Sequence, residues 1–176
     1  QIGNLGIPVI FPNKGDRLEY GGAVLEVISP DKSYPKSIRA SGNGDSEIND
    51  TSVVLSVAYG DDSILFMGDA GEEIEKHILP FLPSGIDILK VGHHGSKYSS
   101  GADFIKEISP QYAVISSGAD NKYGHPSYKA VRTLQRFGIS IFRTDTEGTV
   151  YAESEGKGFS IKTENGSRAS CENMFF

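Results

Sequence analysis

The residues best suited to chemistry sit in three short polar segments, each following an apolar run. The first is Gly92-His93-His94-Gly95-Ser96, which ends the run Ile86-Asp87-Ile88-Leu89-Lys90-Val91 and holds two of the four histidines. The second is Gly68-Asp69-Ala70, which follows Ser63-Ile64-Leu65-Phe66-Met67. The third is Tyr123-Gly124-His125-Pro126-Ser127, downstream of Tyr112-Ala113-Val114-Ile115-Ser116. Neutral imidazole with a carboxylate is a natural ligand set for zinc, manganese or iron. An aspartate oxygen can bridge two metals, and two ions about 3.5–4 Å apart can activate water and clamp a phosphodiester. Asp69, His93 and His94 are therefore the candidate metal ligands. His125 is placed to bind substrate or donate a proton. Ser96 and Lys97 could hold a phosphate through hydroxyl, backbone N–H and ammonium. Each of these residues also has a plainer reading as a turn or surface residue.

The elements that must position them are strands. Glycines flanking the histidine pair allow a sharp turn and close approach. Three polar groups at the C-terminal ends of three apolar strands place one site on one edge of a sheet. Upstream, Arg17–Tyr20 and Ala23–Ile28 read as a hairpin around Gly21-Gly22. Residues 31–50 are polar and read as a surface loop. Val53–Tyr59 pairs with the Asp69 strand through the turn Gly60-Asp61-Asp62. Helices are expected over residues 70–79, 102–108 and 128–137, the last capped by Ser127 and stopped by Gly138. His77 falls mid-helix and reads as a surface histidine. A short strand at Ser140–Arg143 and a final hairpin, Thr149–Ala152 with Gly158–Lys162, complete the pattern. Strand and helix alternate after residue 60, so the class is α/β in one domain.

With 176 residues, 38% of them hydrophobic and 23% charged, the chain has an ordinary globular composition. No apolar run approaches the roughly 18 residues a membrane span needs. The net charge of −6 gives no global reason to bind nucleic acid, although a metal would supply local positive charge. There is no Trp and no basic tract of the kind that argues for strong single-strand binding. The one cysteine, Cys171, excludes an internal disulfide and a cysteine-rich zinc site, and reads as an incidental thiol.

Four segments in order carry a resemblance: Asn49-Asp50-Thr51-Ser52-Val53-Val54-Leu55, Met67-Gly68-Asp69-Ala70, Asp87 to Ser96, and Tyr123 to Ser127. Together they resemble a metallo-β-lactamase-fold hydrolase. More narrowly, they resemble the C-terminal hydrolase domain of ComEC/Rec2-type DNA-uptake proteins. The resemblance implies an αββα sandwich, with Asp69 bridging two divalent ions (Zn or Mn) and His93 or His94 ligating one of them. It gives His125 a substrate-side role and leaves Asn49 and Asp50 near a ligand position without a histidine. The family's His-x-His/Asp-x-Asp-His cluster, which precedes the part resembling residues 1–30, has no counterpart in this sequence. With the initial Gln, this leads to the expectation that residues 1–163 are the later part of the domain only. The first segment would be a partner from the same gene or a separate chain, and residues 164–176 would be a flexible tail.

The function expected is that of a metal-dependent hydrolase, a phosphodiesterase or nuclease acting on DNA in uptake or processing. Asp69 with one or two histidines falls short of the three or four protein ligands a metal site normally uses, so the chain alone is expected to bind metal weakly and to be inactive. Lost strands would leave apolar sheet uncovered. The alternatives are a non-catalytic interaction module with a degenerate or split metal site, and a hydrolase of another phosphoester such as phosphocholine. The resemblance implies an extracytoplasmic domain attached to the membrane only through a parent protein, or a secreted one, with a cytoplasmic relative as the alternative.

Overall fold

The computed structural model describes residues 5, 6, 8–31, 49, 51–83, 85–166 and 168–170. Seven strands form the main sheet in simple chain order: β1 (Arg17–Tyr20), β2 (Ala23–Ser29), β3 (Val54–Tyr59), β4 (Asp62–Phe66), β5 (Ile88–Lys90), β6 (Tyr112–Ile115) and β7 (Ser140–Arg143). The first four pair antiparallel; β4 through β7 pair parallel. The change follows from the connections. Two-residue turns join β1 to β2 and β3 to β4, and Gly21, Gly22 and Gly60 adopt the positive φ that tight hairpins need. Parallel neighbours require crossovers, and these contain α1 (Glu72–Ile78), α2 (Ala102–Ile108) and α3 (Tyr128–Arg136).

Local chemistry sets the helix limits. Glu72, Glu73 and Glu75 occupy the first turn of α1, and Lys76 and His77 the last, as the helix dipole favours. Ser127 caps α3 by accepting the Ala130 N–H at 3.2 Å. Ser109, left-handed at φ 39°, ends α2 just before Pro110.

A second, antiparallel sheet packs on the opposite face, in the order β10-β9-β8: β8 (Val150–Ser154), β9 (Phe159–Thr163) and β10 (Arg168–Ser170). β10 corrects the expected tail from residue 164. Its signal was the Asn165-Gly166 dipeptide, a strong hairpin former; Gly166 takes φ 100° and donates its N–H to the Thr163 carbonyl at 3.1 Å. Residues 171–176, and with them Cys171, lie outside the described residues, as do residues 32–48 and Asp50 of the expected surface loop. A short helix, α4 (Thr144–Glu147), was not anticipated.

The described layers are therefore helix, sheet, sheet. One core lies between the helices and the main sheet, with Leu65, Met67, Leu89, Val91 and Ile115 facing Ile74, Ile105 and Leu134. A smaller core lies between the sheets, where Ile88, Tyr112 and Phe142 meet Phe159 and Ile161. Among the described residues, the second sheet covers the β5–β7 half of that face and reaches Ile64 of β4. On the other half, register places Leu18, Leu25, Val57 and Ile64 in one row and Leu55 beside Phe66. Leu18, Tyr20 and Phe66 there are exposed.

Two buried carboxylates hold the layers together. Asp62, at the start of β4, is 4% exposed. It accepts the Ser154 hydroxyl and the Gly158 N–H at 2.6 Å, tying the main sheet to the β8–β9 turn. Glu75 in α1 is 1% exposed and accepts the N–H groups of Ser100 and Gly101, at 2.6 and 2.8 Å. Burial raises its pKa to about 7, and the Gly101 and Ser100 donors offset only part of the rise.

Replacing Asp62 by Ala leaves its donors without their charged acceptor. The expected loss is about 3 kcal/mol, read as a lower urea midpoint with an unchanged slope. For Glu75 the folded pKa lies above the unfolded one. Its contribution is fully present below about pH 4.5 and is lost as pH rises to about 7. Glu75→Gln should remove that slope, on the order of 3 kcal/mol, from stability measured across the same window. An identical slope in the variant would contradict the assignment.

Candidate metal centre

Because β4, β5 and β6 run parallel, the segments that follow them emerge at one edge of the sheet, the usual place for a site in such folds. Asp69 follows β4, His93 and His94 follow β5, and the loop from Ser116 to His125 follows β6. The three segments are joined by their backbones. His93 donates its N–H to the Gly68 carbonyl at 2.9 Å, and Ser127 donates to the Gly95 carbonyl at 2.8 Å. Contact is close: a Cβ on Gly92 would meet the Ala70 carbonyl at 2.8 Å, and one on Gly95 would meet Pro126 Cβ at 2.7 Å. The glycines bracketing the histidines are therefore required by packing as well as by the turn.

The turn itself is strained. His93 (φ 49°, ψ 43°) and His94 (φ 54°, ψ 23°) are consecutive left-handed residues. That region costs a residue with a side chain roughly 1–2 kcal/mol, and such costs concentrate at functional sites. The strain separates the two rings. His94 points its Nδ1 at the Ser116 carbonyl, 2.7 Å away. A carbonyl only accepts, so Nδ1 carries a proton, and in the neutral ring Nε2 then keeps its lone pair. That Nε2 lies 3.6 Å from Asp69 Oδ1, with both side chains about half exposed. A ligating histidine held by a carbonyl through its other nitrogen is the usual arrangement at metal sites. The geometry places His94, not His93, beside Asp69.

His93 instead turns toward His125, their rings 5.7 Å apart edge to face. The His125 backbone is held on both sides by Asn121, whose Oδ1 accepts its N–H at 2.9 Å while Nδ2 donates to its carbonyl at 2.6 Å. Tyr123 stacks on the ring at 5.9 Å. Burial, then the neighbouring His93 and His94, lower the His125 pKa, against a weaker pull from Asp69. Its Nδ1 is buried without a hydrogen-bond partner among the described residues. His94, Ser116, Ser117, Gly118, Asn121, Tyr123 and His125 line a cleft of about 280 Å³.

Ser96 and Lys97 part company. Ser96 is 3% exposed, and its Oγ accepts the Tyr98 N–H at 3.3 Å. Its hydroxyl is built into the turn, which corrects the expectation that it faces a phosphate. Lys97 is exposed, at the rim. Asn49 accepts the Ser52 N–H through its carbonyl at 3.0 Å, and Ser52 Oγ accepts the Asp69 N–H at 3.2 Å. That turn therefore supports the site through Ser52. His77 lies away from the centre, 6.5 Å from the Phe81 ring.

Sequence reasoning missed Ser116, Asn121, Tyr123 and Thr144. Thr144, in α4, donates to the Ser117 carbonyl and accepts the Ser117 N–H, both at 2.9 Å, and so fixes the loop that presents the Ser116 carbonyl. A backbone acceptor leaves no trace in residue type. Tyr123, an aromatic in a Gly- and Asn-rich loop two residues before a histidine, did carry a legible signal.

Asp69 and His94 thus present two donor groups side by side. Among the described residues, no three or more His, Cys, Asp or Glu side chains converge on a common point. The donor chemistry fits a divalent metal, but the described residues do not complete its shell.

Comparison with known proteins agrees with this placement. The model of the Metallo-beta-lactamase superfamily matches residues 48–119, which contain Asp69, His93 and His94. ComE operon protein 3 of Bacillus subtilis is 36% identical over 146 residues, covering 82% of this chain and 18% of that protein. Competence protein ComA of Neisseria gonorrhoeae is 34% identical over 115 residues, covering 64% of this chain and 17% of its own length. Recombination protein 2 of Haemophilus influenzae is 36% identical over 102 residues, 58% of this chain and 13% of that one. The chain spans less than a fifth of the length of each of these relatives. Strand order, the site at the ends of β4 to β6 and these matches lead to one conclusion: the chain has the metallo-β-lactamase fold, matches that superfamily over residues 48–119, and resembles proteins of the ComEC/Rec2 type.

Proposed function

We propose that this chain supplies part of the active centre of a metal-dependent phosphodiesterase acting on nucleic acid, with Asp69 and His94 as ligands. The observation that carries the reading is the His94 ring: Nδ1 fixed by the Ser116 carbonyl and Nε2 aimed at Asp69, 3.6 Å away. The superfamily generally binds divalent metals. A bound divalent ion would supply a water made nucleophilic near neutral pH and charge stabilisation on the phosphoryl oxygens. The chain's own residues do the rest. Asp69 and His94 hold position without rearrangement because the backbone at each is fixed from two neighbouring segments. His125, whose pKa burial and then the neighbouring His93 and His94 lower, stands on the wall of the cleft to hydrogen-bond an oxygen of the substrate. Lys97 at the rim offers an ammonium to phosphate.

The remaining ligands come, in this reading, from a further segment of the same domain, in the same gene product or a separate chain. Two observations support it, both made among the described residues: the ligand count, and the exposure of Leu18, Tyr20 and Phe66 on the apolar face of β1–β4. The names of two relatives, which refer to competence and recombination, support nucleic acid as the substrate.

The test has two parts. In this chain, calorimetric titration with Zn²⁺ or Mn²⁺ should show weak binding that His94→Ala and Asp69→Asn abolish and His93→Ala largely spares. In a protein that joins this chain to the further segment this reading calls for, the same two substitutions should lower hydrolysis of a small phosphodiester by more than about 100-fold, beyond the 10–100-fold typical of an outer-shell partner. If His93→Ala removes metal binding and His94→Ala does not, the ligand assignment is wrong. If that joined protein binds metal tightly yet hydrolyses no phosphodiester, the non-catalytic interaction module becomes the better reading.

A further inference from the structure

Behind the histidine turn the chain forms an arch, from Ser96 to Gly101, whose far end closes over the Glu75 carboxylate. Ser100 and Gly101 donate their N–H groups to it at 2.6 and 2.8 Å, and a Cβ on Gly101 would meet Glu75 Oε2 at 3.2 Å. Glu75 itself is 1% exposed. Among the described residues no cation pairs with it: Lys76 pairs with Glu73, and Lys129 with Glu72. Two charged groups face it without touching it. Glu72 of α1 disfavours its ionised form, and Lys129 of α3 favours it. The arch carries two costs of its own. Ser100 is left-handed at φ 61°, and its hydroxyl is buried without a partner among the described residues.

The near end of the arch is bonded to the turn. Ser96 donates its N–H to the His93 carbonyl at 2.9 Å, and Ser99 donates its N–H to the Ser96 carbonyl at 3.2 Å. The Ser99 hydroxyl donates to the Gly92 carbonyl at 2.8 Å. A shift at Ser99 is therefore felt at Gly92 and His93. We propose that a proton controls this arch: it stays closed over Glu75 while the carboxyl is neutral, loosens when the proton leaves, and passes the loosening to the turn that presents His94. The proposal goes beyond the phosphodiesterase reading and does not depend on it. Its physical basis is the cover. A buried carboxylate without a cation is costly, and its N–H donors offset only part of that cost. Lifting the arch returns the carboxylate to water, so the ionised form favours the open arch and the neutral form the closed one. The raised pKa of Glu75, about 7 against 4.5 in water, has the same sign. Between about pH 6 and about pH 8 those two values make the open arch about 10-fold more populated.

Amide hydrogen exchange of this chain, followed by NMR at those two pH values and divided by the intrinsic rate at each, tests the proposal. Low urea separates local opening, which hardly responds to it, from global unfolding, which does. The N–H groups of Ser96, Ser99, Ser100 and Gly101 should exchange by local opening, with protection about 10-fold lower at the higher pH. Glu75→Gln keeps every histidine and should make the local protection equal at both. Glu72→Gln, at a partly exposed side chain, should move the change to lower pH, which tests the same charge should Glu75→Gln fail to fold. Arch amides that exchange only with global unfolding, equal local protection at both pH values in the parent, a response that survives Glu75→Gln, or no shift in Glu72→Gln would overturn the proposal. So would a response confined to Ser100 and Gly101 that leaves Ser96 unmoved, because the turn would then be uncoupled from the arch.

Discussion

The site depends on one constraint: two adjacent residues bearing side chains are held in left-handed conformation between two glycines. Such a turn is unfavourable alone and persists because its surroundings determine it. Gly68 accepts from the His93 N–H on one side, and Ser116 accepts from the His94 ring on the other. The result is that neighbouring imidazoles point to different places. One faces the carboxylate, the other faces His125. An extended pair would instead alternate to opposite faces of the sheet.

The rest of the structure serves that turn. Parallel pairing of β4, β5 and β6 brings three segments to one edge, and helices packed on one face keep the strands in register. Glu75 holds the loop that follows the histidines by its Ser100 and Gly101 N–H groups. α4 holds the loop that supplies the Ser116 carbonyl. Both contacts come from polar groups placed where backbone donors or acceptors would otherwise be left unmet.

Much of this was legible in the sequence because it rests on local signals. Apolar runs, flanking glycines, Ser127 as a cap and Gly138 as a stop marked the strands and the third helix, and placed Asp69, His94 and His125 at strand ends. What was not legible depends on groups without a residue signature. Nothing in His93-His94 tells which ring faces Asp69; a backbone carbonyl 22 residues downstream of His94 holds that ring in place. Ser96 follows the pair and has the right chemistry, yet its hydroxyl is used by the turn. β10 was missed although Asn165-Gly166 announced its hairpin, because the polar residues around that turn read as a tail. α4 is one turn long and gives no periodicity to read.

The most direct test is nitrogen NMR of histidine side chains in ¹⁵N-labelled protein, before and during Zn²⁺ addition. The structure predicts that His94 is the Nδ1–H tautomer without metal and that its Nε2 resonance moves on titration, while the His93 nitrogens hold nearly still. A protonated Nε2 on His94, or a metal response confined to His93, would contradict the centre described here.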